Sequence, residues 1–355
     1  MRHNNKKLPI AFRVVIALFA SATMLLCSCE DDDYYGNWKI LSNVNEKGLS
    51  DASSFVIGNN AYMVGGYGYY RTYVYFNKTW RYNSENRAWT EMDSLPGKGR
   101  SQGVSFMIGN KAYFGTGIAS DGEFFDEFFE FDPSQPKGSQ WKKINDPIPC
   151  GPCYGAMSFV INGKGYVCGG YTEQKGMSRE MYKFDPSQPE GSRWSLIETA
   201  QLVKRMEGNV MVIDNKAYII GGRSNKSKVP EFECFDPTTE TIRMVSENVA
   251  DDYTENLLRY EASSFVIDGR GYMCCGIKFS GEVLRDMWRF TPNNGKGVWQ
   301  KMCDFIGPSR SGASGFEING IGYVACGQNG VGGYNFYDEI WSFDPNERWS
   351  RRIYK

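Results

Sequence analysis

Arg100, Arg205, Arg259 and Arg310 each stand eight residues before an isoleucine, at Ile108, Ile213, Ile267 and Ile318. Arginine recurring at one register is the pattern of a charge ring, and a planar guanidinium can grip a carboxylate through two parallel hydrogen bonds. Arg223 follows the glycine pair Gly221-Gly222 and is expected at the same end of its repeat. Glu207 and Glu261 lie two residues beyond Arg205 and Arg259, where they can serve as ion-pair partners or as an acid–base group. Tyr67, Tyr69 and Tyr70 crowd one loop, and Gln328, Asn329 and Tyr334 crowd another. Tyrosine offers a flat apolar face with a polar tip, which suits stacking on a sugar. These residue types point to recognition of a glycan or protein ligand, with an anion favoured by the arginines.

Other chemistries are excluded. The one histidine is His3, inside a segment read below as an export signal. Without a histidine the remaining chain has no Ser-His-Asp or Cys-His catalysis and no histidine-ligated metal. No metal and no cofactor is expected. The formal net charge is -1 with no basic stripe, so nucleic acid is not an expected partner. Cys150-Gly151-Pro152-Cys153 has the spacing of a redox dithiol, but such a motif needs a helix N-terminus to lower the thiol pKa. Here it falls in a loop and reads as a local disulfide or a loop pair. Cys168, Cys274, Cys275 and Cys326 read as small buried hydrophobes on strands.

The elements that must position these residues come from an internal repeat. A strand ends at Ile57, Ile108, Ile161, Ile213, Ile267 and Ile318, and a tyrosine follows each five residues later, at Tyr62, Tyr113, Tyr166, Tyr218, Tyr272 and Tyr323. Each unit then reaches a glycine, at Gly66, Gly117, Gly170, Gly222, Gly276 and Gly327, with separations of 51, 53, 52, 54 and 51 residues. Asn162-Gly163, Asp268-Gly269 and Asn319-Gly320 are hairpin turn pairs. Each unit therefore reads as four antiparallel strands, a to d. Strand c carries alternating aromatics such as Phe129/Phe131 and Trp288/Phe290, and strand d carries Trp89, Trp141, Trp194, Trp299 or Trp349. An acid opens strand c in five units (Glu127, Glu180, Glu231, Asp286, Glu339), with Lys78 in the first, and this column reads as structural. Trp38 and Trp349 both offer an outer strand to close the last unit, and the sequence leaves that choice open.

The double glycine, tyrosine and tryptophan at this spacing resemble the kelch family over roughly residues 37–355. Gly65-Gly66, Gly169-Gly170 and Gly221-Gly222 keep the pair, while Thr116, Cys275 and Cys326 replace its first glycine. The resemblance implies an all-β, six-bladed β-propeller with four-stranded antiparallel blades. In kelch adaptors of ubiquitin ligases, arginines leading into strand a bind acidic peptides, and Arg310-Ser311-Gly312 resembles that motif. Sialic acid epimerases (mutarotases) are also kelch propellers, which raises an N-acetylneuraminate epimerase-like enzyme on an anionic sugar as the alternative, with Glu207 or Glu261 as its acid–base group. The long insertions of that group are absent. A protein–protein scaffold is the third reading. Galactose oxidase, another relative, holds copper through histidines that this chain lacks.

Residues 1–29 read as an address. Arg2, Lys6 and Lys7 precede a short apolar run from Val14 to Leu26, and Leu26-Cys27-Ser28-Cys29 resembles a bacterial lipobox. That resemblance implies cleavage before Cys29 and a lipid anchor on its sulfur. Residues 30–36 form an acidic tether, and Glu30, Asp31, Asp32 and Asp33 resemble a surface-export signal. The expected location is therefore the outer membrane of a Gram-negative bacterium, at the cell surface.

Overall fold

The computed structural model describes residues 35–44, 48–225, 227–247, 256–293, 296–330, 332 and 334–348. Cys29, the acidic run at 30–33 and Trp349 lie outside the described residues. The described chain is mainly β-structure, in six sheets of four or five strands, antiparallel except where Ser246–Glu247 runs parallel to Lys296–Lys301, joined by smaller two- and three-stranded ribbons. The first sheet runs a to d through Ser53–Ile57, Asn60–Val64, Thr79–Asn83 and Ala88–Glu91. The innermost strands of the others are Val104–Ile108, Met157–Ile161, Asn209–Ile213, Ser263–Ile267 and Ser314–Ile318. Each innermost strand neighbours the one before and the one after, and the last neighbours the first, so the sheets close around a central channel.

Closure is made by the amino-terminal end. Tyr35–Asn43 pairs with Glu339–Arg348 as the outer strand of the sixth sheet. Trp38, wholly buried, takes the place of a strand-d tryptophan and packs 5.0 Å from Phe343 and edge-on 4.9 Å from Phe305. Joining first and last strands in one sheet removes the open edges a linear array would expose.

The repeat tyrosine explains itself in this ring. In five sheets it stacks on the strand-a phenylalanine of its own sheet, as Tyr62 does on Phe55 at 5.2 Å, with Met211 in that place opposite Tyr218, and it also meets the strand-c aromatic of the next sheet, as Tyr62 meets Phe131 at 5.4 Å. The same step links Tyr113 to Phe184, Tyr166 to Phe235, Tyr218 to Phe290, Tyr272 to Phe343 and, closing the circle, Tyr323 to Tyr82. One tyrosine per unit is therefore the apolar joint between neighbouring sheets.

Two closed circles of backbone hydrogen bonds reinforce that joint. The repeat glycines Gly66, Gly117, Gly170, Gly222, Gly276 and Gly327 donate to the carbonyls of Arg100, Cys153, Arg205, Arg259, Arg310 and Leu49, each at 2.8 Å. At Gly170 the φ is 85°, and a Cβ there would fall 2.9 Å from the backbone of Ala156, so only glycine fits. Thr116, Cys275 and Cys326 keep positive φ values of 60°, 64° and 63°, so the substitutions at the first glycine leave the backbone path unchanged.

Candidate functional site

The residue six before each repeat isoleucine forms the rim of the channel. These are Asp51, Gln102, Gly155, Glu207, Glu261 and Gly312, and all have positive φ, at 54°, 54°, 64°, 57°, 52° and 61°. Each N–H donates to the carbonyl of its counterpart in the preceding sheet, from Asp51 to Gly312 at 2.8 Å round to Gly312 to Glu261 at 3.0 Å, which completes the second circle. Left-handed backbone costs a side-chain-bearing residue about 1–2 kcal/mol, and four of these six positions bear one. Strain held at the lip of a cavity marks a place where side chains serve something besides packing. The channel beneath is a cavity of about 310 Å³.

Three carboxyl groups from the first, fourth and fifth sheets therefore face one opening. Arg223 grips Glu207 with both ends of its fork, Nε to Oε2 at 2.5 Å and Nη2 to Oε1 at 2.9 Å, and Gln102 Nε2 adds a bond to Oε1 at 3.1 Å. Among the described residues no cation forms an ion pair with Asp51 or Glu261. Burial, and then the charge of Glu207, push the Asp51 carboxyl up to about 7. Burial, and then the charges of Asp51 and Glu207, hold Glu261 well above the usual carboxylate range. Glu261 Oε2 is buried and accepts no hydrogen bond from the described residues.

Beside this opening lies an aromatic rim from the first and sixth sheets. Tyr67 stacks on Tyr75 at 5.3 Å, and its hydroxyl accepts a bond from the buried Gln328 Nε2 at 2.6 Å. Ser50 and Tyr67 bridge, as do Ser311 and Gln328, so the loops leading into strand a and those leaving strand b share one mouth. Tyr69 meets Tyr73 at 5.3 Å and Tyr334 at 4.9 Å, both edge-on, and Tyr73 and Tyr334 are exposed. Tyr70 meets Phe76 edge-on at 6.0 Å. Asn329 lines a separate groove of about 320 Å³ with Tyr260 and Val283. In the second and third units, Phe124, Tyr154 and Tyr171 form another aromatic cluster, with Phe124 4.7 Å from Tyr154.

The expected ring of ligand-facing arginines requires correction. Arg100, Arg205, Arg259 and Arg310 are fully or almost fully buried, and their guanidinium groups are spent inside the blades. Arg100 binds Glu127 at 2.8 Å, Arg205 binds Glu233 at 2.5 Å, Arg259 holds both oxygens of Asp286 at 2.8 and 2.9 Å, and Arg310 binds Glu339 at 2.5 Å. Arg205, Arg259 and Arg310 also donate to the carbonyls of Gly221, Cys275 and Cys326, the residues that close strand b. A group without surface cannot meet a solute. Burial alone would raise the Asp286 carboxyl, but the bond and charge of Arg259 outweigh it and hold the group below its ordinary value. The partners are thus the strand-c acids and not Glu207 or Glu261. In the fourth unit the partner is Glu233, two residues beyond the expected Glu231, whose backbone carbonyl accepts a bond from Arg205 instead.

Of the remaining site residues, the structure brings Glu207, Glu261, Arg223, Tyr67 and Tyr69 to the mouth. Sequence reasoning missed Asp51 and Gln102. The signal was present: both stand six before a repeat isoleucine, the register of Glu207 and Glu261. Among the described residues there is no cluster of three or more His, Cys, Asp or Glu able to hold a metal ion, and no helix long and apolar enough to cross a membrane.

A closed ring of sheets, each built on four antiparallel strands, with a tyrosine joint and a glycine contact per unit defines a β-propeller of kelch type. A family model described as the KLHDC2/KLHL20/DRC7 Kelch-repeats domain matches residues 105–319, and the chain belongs to the kelch-repeat family. Kelch-like protein 23 of Homo sapiens is 26% identical over 189 residues, 52% of this chain and 31% of that protein. N-acetylneuraminate epimerase of Escherichia coli (strain K12) is 32% identical over 91 residues, 25% of this chain and 24% of that enzyme. The matched stretches thus span a third or less of these relatives' length. The solved structure of YjhT is similar with a TM-score of 0.65 at 17% identity, covering 84% of this chain and 95% of that one, a likeness of fold.

Proposed function

We propose that the protein is a carbohydrate-binding module whose site is the channel mouth, carried on an exported lipoprotein anchored through Cys29 and displayed at the cell surface. The observation that carries this reading is the adjacency of hydrogen-bonding groups and aromatic faces: Asp51, Gln102, Glu207 and Glu261 ring an opening flanked by Tyr67, Tyr69, Tyr73 and Tyr334. Carboxyl and amide groups engage sugar hydroxyls, and a tyrosine face takes the apolar side of a pyranose. With the four arginines inside the blades and three acids at the rim, the site suits a neutral saccharide better than an anionic one. That revises the anion inferred from the arginine spacing. The partial likeness to N-acetylneuraminate epimerase supports a sugar as the ligand class.

An acid–base reading draws on one observation. Asp51 and Glu261 have carboxyls raised toward neutrality beside an Arg-paired Glu207. A carboxyl held protonated by burial can act as a general acid, one part of what opening and closing a sugar ring requires. It predicts faster anomer exchange of whichever sugar binds.

A glycan array tests the proposal, with the protein beside a Tyr73→Ala/Tyr334→Ala variant. Binding of neutral glycans that the variant loses is the expected result. Silence on every glycan, from protein shown to be folded, overturns it and leaves protein–protein scaffolding as the reading.

A further inference from the structure

Cys153 occupies the register that holds arginine in four of the six units, the others being Leu49, Arg100, Arg205, Arg259 and Arg310. In those four an arginine–acid pair fastens the chain leading into strand a to strand c. The third unit keeps the acid, Glu180, but its partner is Lys175 at 2.8 Å, an exposed lysine from the neighbouring loop. Cys153 has a different neighbour. Its Sγ lies 3.8 Å from Cys150 Sγ, and both side chains are buried. Cys153 is fixed by backbone bonds on both sides, its N–H donating to Phe125 O at 3.1 Å and its carbonyl accepting from Gly117 at 2.8 Å. The chain between the two cysteines turns through Gly151, whose φ is 77° and whose N–H donates to Ile148 O at 3.1 Å.

We infer that Cys150 and Cys153 are joined by a disulfide in the oxidised protein, and that this bridge stiffens, in the third sheet, the chain leading into strand a, which elsewhere is held by arginine and a strand-c acid. A disulfide closes that gap to a bond of about 2.05 Å between residues three apart in the chain. The pair is a structural bridge and not an exchange catalyst. Both sulfurs are buried, and Cys153 stands on the short strand Cys153–Tyr154 rather than at the helix N-terminus that activates a catalytic thiol.

Bond formation therefore belongs to folding, before the sulfurs are covered, with a protein or small-molecule disulfide as oxidant. One cysteine thiolate attacks a sulfur of that disulfide, forming a mixed disulfide and releasing one oxidant thiolate. The second cysteine thiolate displaces the remaining oxidant sulfur and closes the Cys150–Cys153 bond. Two electrons pass to the oxidant, and the two thiol protons end on its sulfurs, leaving it a dithiol or two thiols.

The experiment is refolding in reduced and oxidised glutathione, then denaturation, alkylation with iodoacetamide and peptide mass mapping. Eight cysteines fall in the described residues, and the expected result is alkylation of the other six with Cys150 and Cys153 linked. Alkylation of both in protein refolded with oxidised glutathione overturns the bridge. The fastening role is read by heat. Cys150→Ser/Cys153→Ser is expected to lower the melting temperature by about 2–6 °C. Cys150→Ser/Cys153→Arg, which returns a guanidinium to face Glu180, is expected to recover most of that loss. An arginine variant no more stable than the serine variant overturns the fastening role. If the serine variant does not fold, wild type refolded in reduced glutathione alone and shown by mass mapping to lack the bridge gives the same reading: a melting temperature below that of the bridged protein supports the role, and an equal one overturns it.

Discussion

Arg205 and Glu233 meet inside the fourth sheet at 2.5 Å, with 0% and 3% of their side chains exposed. Removing one partner of so deep a pair strands the other charge without water, at a cost of about 3–5 kcal/mol. Arg205→Met is therefore expected to shift the denaturant midpoint sharply downward. Replacing both partners, as Arg205→Met/Glu233→Leu, is expected to be far milder, because the uncompensated charge is gone. Urea unfolding of the two variants checks this, and equal destabilisation by both would sink the idea that the pair acts as a unit.

Asp51 makes stability depend on pH in a stated direction. Its carboxyl is raised from an ordinary value of 3.8 to about 7 in the folded state, so the fold prefers it protonated. Its favourable contribution is complete below about pH 4 and is lost as pH rises through about 7. Asp51→Asn keeps the shape, tolerates the left-handed backbone and cannot ionise. Asn and wild type are expected to match at pH 4, with Asn ahead by about 2–4 kcal/mol at pH 8. The rim carboxyls interact, so the wild-type transition is expected to be broad. Melting curves across that range decide it, and parallel curves at every pH would remove Asp51 from the buried charge cluster.

The fold was legible because one tyrosine and one glycine recur in every unit, and each makes a contact that repeats around the ring. The site was only half legible. Spacing showed that Arg100, Arg205, Arg259 and Arg310 are equivalent, but equivalence does not say which way a side chain turns. Two residues apart on the same stretch, Arg205 enters the blade and Glu207 takes the rim, and the difference is the left-handed backbone at 207. Glycine at two of the six rim positions, Gly155 and Gly312, was the sequence trace of that conformation. Closure by Tyr35–Asn43 was not legible, because Trp38 and Trp349 both stand at suitable spacing and only pairing in space distinguishes them.

Among the described residues Tyr334 is the most exposed of the large apolar side chains, at 67%, and Tyr69 supports it from the side at 4.9 Å. A ring so exposed adds little to folding, so Tyr334→Ala is expected to leave the melting temperature unchanged to about one degree. Its cost falls on the ligand instead. Losing one stacking face removes about 0.5–1.5 kcal/mol, a weakening of roughly two- to twelve-fold in Kd. Tyr67→Phe provides the internal contrast. It keeps the ring stacked on Tyr75 but deprives the buried Gln328 Nε2 of its acceptor, so it is expected to lower stability by about 1–3 kcal/mol. Calorimetric titration of both variants with a glycan that binds the wild type separates the two effects. Undiminished affinity in Tyr334→Ala would take the aromatic rim out of the binding site and confine recognition to the carboxyl and amide groups of the channel mouth.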